Sequence, residues 1–151
     1  MYKFICLIAA LCVAVQALDE KKINDELEFY TKEIASLKKE DINRCKQIIN
    51  SKEQLAQEAK GEEGENCVRS AGEKLITDVR TNQEKETFDF LIHVEGLKQD
   101  MKNGKGEQVE KTIESKTRKD FQHVITNMQA KDEMLILAFV SEANKCRGLD
   151  H

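Results

Sequence analysis

A continuous run of seven apolar residues, Met134–Val140 (MLILAFV), stands inside a chain that is one-third charged. It is much shorter than the roughly 20 residues a bilayer span requires. No Gly or Pro lies within it, and it continues a helical pattern from upstream. The run therefore predicts a helix segment buried on several sides, with the rest of the chain wrapped round it.

The remaining apolar positions recur at helical spacing. Ile23, Leu27, Tyr30, Ile34 and Leu37 form an a/d seam, which buries a narrow stripe against partner helices. The pattern slips near Lys38–Asp41 and resumes on a shifted phase with Ile42, Cys45, Ile49, Ala56 and Ala59. With no Gly or Pro at the slip, a bent but continuous helix is expected. Gly61-Glu62-Glu63-Gly64-Glu65-Asn66 predicts a break, with Asn66 capping the next helix.

The second segment is marked by Val68, Ala71, Leu75 and Val79, then by Phe90, Val94, Leu97 and Met101. Between them Arg80–Thr87 reads as polar all round, so little packing is expected to hold it. Phe88–Val94 alternates partially, but no second strand exists to pair with it, so helix is expected there too. Asn103-Gly104-Lys105-Gly106 predicts a turn. The third segment carries Val109, Ile113, Phe121, Val124, Met128, Leu135 and Phe139, widened by Ile136, Leu137 and Val140.

These patterns predict an all-α fold. Three long amphipathic helices, about 19–60, 67–102 and 107–145, make an elongated antiparallel up-down-up bundle, because short connectors force consecutive helices to reverse. The matching polar stretches predict a polar waist, with a loose and solvated middle as its simplest form.

The amino terminus changes the expected compartment. A basic start at Lys3 precedes the apolar stretch Phe4–Val15, and Val15-Gln16-Ala17 suits cleavage after Ala17. Residues 1–17 are read as a signal peptide, and 18–151 as a single secreted, extracellular helical-bundle domain. No transmembrane segment is expected after cleavage. Loss of Lys3 shifts the formal charge by one, from −4 to −5. An acidic chain lacks the basic face that nucleic-acid binding requires.

Three cysteines, Cys45, Cys67 and Cys146, fall outside the leader, which predicts one disulfide and one remaining thiol in an oxidising compartment. Antiparallel pairing of the later two helices sets Cys67 opposite about residue 143, within a turn of Cys146. Pairing of the first two sets Cys45 roughly 15 residues, or about 22 Å, from Cys67. A disulfide needs Cα atoms within about 7 Å. The expected bond is Cys67–Cys146, leaving Cys45 free or linking two chains. Arg44 and Lys46 beside Cys45 favour a lowered thiol pKa.

Little else suggests chemistry. His93 and His123 are not at metal-ligand spacing, and no His stands near a cysteine in the expected register. No metal, cofactor or catalytic residue is expected, and the chain reads as a non-enzyme. Asn43-Arg44-Cys45 and Asn144-Lys145-Cys146 are only the rare glycosylation variant, and no standard sequon is present. Two function classes remain. One is a coiled-coil-like interaction or structural module, with an extracellular protein or a second copy as partner. The other is a carrier or surface binder of lipids or other apolar small ligands. The candidate surface for either is Phe88, Phe90, Leu91, Ile92, Met134, Leu135, Ile136, Leu137 and Phe139.

Overall fold

The computed structural model describes Tyr2–Leu149, with side chains from Asp19 onward. The expected leader, 1–17, lies outside the residues whose side chains are described. The protein is all-helical: α1 spans Tyr2–Lys102, α2 Gly106–Thr112, a π-helical segment Ile113–Thr117, and α3 Arg118–Cys146. The described residues contain no strand, and Phe88–Val94 is helical as its lack of a partner strand required.

α1 is helical on both sides of Gly61, which alone departs from helical geometry, with φ 63° and ψ −147°. That region is open essentially to glycine only. The expected six-residue connector thus contracts to one residue. Glu62–Asn66 are already helical, and Asn66 accepts from Arg69 within the helix instead of capping it. Beyond the turn the backbones come close: a Cβ on Gly64 would lie 2.6 Å from the Ala56 carbonyl oxygen. The helix is continuous through residues 38–42, as the absence of Gly and Pro there predicts.

The chain divides into two compact units. The first contains the residues up to Glu33 and Asp89–Gln122; the second contains Ile34–Phe88 and 123 onward. In the first, Ile23, Leu27, Val94, Leu97, Val109 and Ile113 are buried around an aromatic group. Tyr30, Phe90 and Phe121 meet there with ring centroids 4.8–5.8 Å apart, the spacing expected of favourable tilted and edge-on pairs. In the second, Cys45, Ile49, Ala56, Val68, Leu75 and Val79 pack against Ile136, Phe139, Ala143 and Cys146. Gly72 is part of this packing, since a Cβ there would press on the Ile49 side chain at 2.7 Å.

The register slip expected near Lys38–Asp41 is absent. Buried positions Ile34, Cys45 and Ile49 keep one phase, with half-buried Lys38 and Asp41 occupying the intervening seam sites. The same holds for Val79, Gln83, Thr87 and Phe90, and for Met128, Asp132 and Ile136, all buried. The expected solvated middle is corrected accordingly: in the second unit these polar residues lie inside.

Cys67 and Cys146 are disulfide-bonded, with Cα atoms 5.7 Å apart and a sequence separation of 79. The loop it closes is long enough for about 4 kcal/mol on the chain-entropy account.

Candidate functional site

Two features of the second unit stand out: an apolar groove on its surface and a polar cluster in its interior. The groove follows from helical geometry. Positions 78, 81, 82 and 85 share one side of α1, and 131, 134 and 135 share one side of α3. Asp78, Thr81, Asn82, Lys85, Lys131, Met134 and Leu135 line an open groove of about 470 Å³. Met134 is 70% exposed and Leu137, one turn further along α3, is 60% exposed. Lys85 and Lys131 mark one end, where Lys131 donates to Glu86, and Asp78 with Leu135 marks the other.

The apolar run is therefore amphipathic, not buried on several sides. Ile136 and Phe139 are in the core, Leu135 is half-buried, and Met134 and Leu137 face solvent. The candidate residues on α1 divide likewise. Phe88 and Ile92 are exposed, Leu91 is half-buried, and Phe90 joins the aromatic group of the first unit. Phe90, Ile136 and Phe139 are core residues and offer no surface. Phe29, half-exposed, is an apolar surface residue that the seam pattern passed over because it sits off the stripe.

The interior cluster centres on Asp132, which is 2% exposed. Asn82 Nδ2 donates to its Oδ1 at 2.7 Å, and Gln83 Nε2 donates to its Oδ2 at 2.9 Å. Gln83 also donates to the Lys38 carbonyl, and Asn82 to that of Met128. Thr87 Oγ1 donates to the Gln83 carbonyl at 2.7 Å. Asp41 Oδ2 is buried without a hydrogen-bond partner. Burial raises the Asp132 carboxyl above the usual range, against the pull of its two amide donors. Burial, then the neighbouring charge of Asp132, raises Asp41. Sequence reading missed this cluster because Gln, Asn and Asp at seam positions look like interruptions of the seam.

Cys45 lies fully buried in the same core. Burial, followed by the charges of Asp132 and Asp41, pushes its thiol up to about 11. The lowering expected from Arg44 is present but outweighed by burial and the two acids, and Lys46 is exposed. A thiol so placed has neither the thiolate character nor the access for exchange with a second chain.

In the first unit His93 Nε2 lies 3.1 Å from Thr117 Oγ1, inside the helix pair. Glu26 receives a bidentate pair from Arg118 at 2.8 and 2.9 Å and a further bond from Tyr30. His123, in the second unit, pairs with Asn127 on its own helix at 3.0 Å. Among the described residues no group of three or more His, Cys, Asp or Glu side chains is placed to hold a metal ion. Among them, too, no helix is long and apolar enough to cross a membrane. No family model, curated protein or solved structure matches the chain.

Proposed function

We propose that the chain is a secreted, extracellular helical protein that acts by protein interaction and performs no catalysis. The observation that carries this reading is the exposed apolar row of α3, Met134 and Leu137, beside the groove against α1. Large apolar side chains left in water next to a shaped groove are the usual mark of a surface that meets a partner. The partner that fits best is a second copy of the chain. The groove carries Asp78 toward one end and Lys85 with Lys131 toward the other. Asp78 and Lys85 stand about 10 Å apart along the helix. A two-fold-related copy would set acid against base at both ends and close Met134 and Leu137 over one another.

The fold that goes with this reading is an up-down-up three-helix bundle whose first reversal is at Gly61. In the second unit it is supported by the Gly72 contact with Ile49, the Gln83 bond to Lys38 and the Asn82 bond to Asp132. In the first, Lys98 reaches Thr31 at 3.2 Å. The a/d seam makes the contact coiled-coil-like.

The second reading, a carrier of apolar ligands, is favoured by the groove alone. Its size lies within the range of small-ligand pockets, and Lys85 would meet an anionic headgroup.

Sedimentation over a range of concentrations tests the proposal, with Met134→Glu/Leu137→Glu as control. Wild type is expected to self-associate and the double variant to do so at least about tenfold more weakly. Both are expected to melt alike, since exposed substitutions usually change stability by less than about 0.5 kcal/mol. A wild-type monomer at all concentrations contradicts the interaction reading. Saturable binding of a long-chain fatty acid to that monomer would establish the carrier instead.

A further inference from the structure

Asp132 is a buried carboxyl that no cation serves. On the first arm of α1, Arg44 is bound to Glu133 at 2.7 Å, and half-buried Lys38 is lowered by burial against the charge of Glu84. On α3 itself, Lys131 is bound to Glu86. From the second arm of α1 only the neutral amides of Asn82 and Gln83 reach it. The other ionisable neighbours are Asp41, whose Oδ2 is buried without a partner, and the Cys45 thiol; on Asp41 itself Arg44 acts to lower the carboxyl while Glu40 and Glu133 act with Asp132 to raise it. Buried Asp132 and half-buried Asp41, one of whose oxygens is shut off from water, repel one another where solvent screens them little, so both do not stay charged cheaply.

We propose that Asp132 and Asp41 form a proton-holding pair that works as a pH-sensitive lock on the interior of this unit. A proton on either removes one of two like charges, and a proton on Asp41 Oδ2 relieves its uncompensated buried oxygen. Asp132 keeps an acceptor for at least one amide in either state. The direction of the effect is fixed by linkage. Both carboxyls hold their proton more tightly in the fold than in the unfolded chain. The stabilising contribution is therefore full below the ordinary carboxylate pKa and disappears as pH rises through the folded values. The lock closes on acidification and loosens as pH rises. It stands independently of how the surface groove is used.

The test combines thermal unfolding with a direct titration on the full, disulfide-intact chain. The wild-type Tm is compared at about pH 4 and about pH 7 with those of Asp132→Asn and Asp41→Asn, which brackets the ordinary and the raised carboxylate values. The Tm difference between wild type and each variant is expected to move in favour of wild type at the lower pH. Because Asp132→Asn sets an amide against Gln83, its failure to fold is covered by carbon-13 NMR titration of the aspartate carboxyls in wild type. The Asp132 and Asp41 carbons are expected to titrate above the ordinary value of about 4. Both midpoints at or below that value overturn the proposal, as does a pH slope that Asp41→Asn leaves unchanged.

Discussion

Cys45 sits between two basic residues in sequence, yet in the fold burial and the charges of Asp132 and Asp41 outweigh that of Arg44. The helix buries its sulfur while Arg44 pairs with Glu133. With the thiol held at about 11, thiolate is scarce at pH 8. Alkylation of the native protein is therefore expected to be at least about a hundredfold slower than in denaturant, read as added mass over time. Rapid labelling of folded protein would mean that the sulfur is not where burial puts it. Gly61 and Gly64 make a second residue-scale prediction. Gly61→Ala forces a Cβ into a backbone region that costs about 1–3 kcal/mol, although nothing crowds it. Gly64→Ala is expected to cost a similar amount for the opposite reason, a clash with the Ala56 backbone. Chemical denaturation distinguishes these losses from the gain of up to about 1 kcal/mol expected at exposed Gly96, where a Cβ meets nothing and Ala favours the helix.

Each helical element keeps one phase along its buried face, and polar residues hold that phase where apolar ones run out. This is where sequence reading fell short. It followed apolar letters, found the seam through Ile23, Leu27, Tyr30 and Ile34, and lost it at Lys38 and Asp41. It lost it again at Gln83, Thr87, Thr117 and Asp132. Nothing in an isolated Asp132 says that Asn82 and Gln83 will meet it from the next helix. The π segment at Ile113–Thr117 was equally invisible, since no residue type marks it; it buries Thr117 beside His93. The run Met134–Val140 was legible as helix but not as amphipathic, because seven apolar letters carry no phase. At this scale the pH response of the first unit runs opposite to that proposed for the Asp132 pair. Arg118, then the Tyr30 hydrogen bond, holds the Glu26 carboxyl below its usual value against partial burial. That contribution is present above the unfolded glutamate pKa and is lost as pH falls through the lower folded value. Arg118→Ala is expected to raise the pH at which the Tyr30 and Phe121 NMR shifts move, because Glu26 then titrates without its cation. An unchanged acid transition in the variant would assign the sensitivity to another group.

For the molecule as a whole, the disulfide was the most legible feature. Two near-equal helical stretches and one Gly-rich turn placed Cys67 opposite Cys146 by length alone, and that pair is bonded. Replacing both cysteines by serine is expected to cost about 4 kcal/mol by freeing a long loop in the unfolded chain. A loss near zero in denaturant titrations would mean that helix packing already holds those ends together. What the chain does was far less legible, since a surface is defined by which side of a helix faces water and not by its composition. The α3 row is the proposed association surface, and native mass spectrometry of the protein without reductant tests it most directly. The expected result is a non-covalent dimer, absent in Met134→Glu/Leu137→Glu, with the mass of each chain showing one disulfide and one free thiol. A monomer at every concentration, or a dimer that only reductant separates, would contradict it.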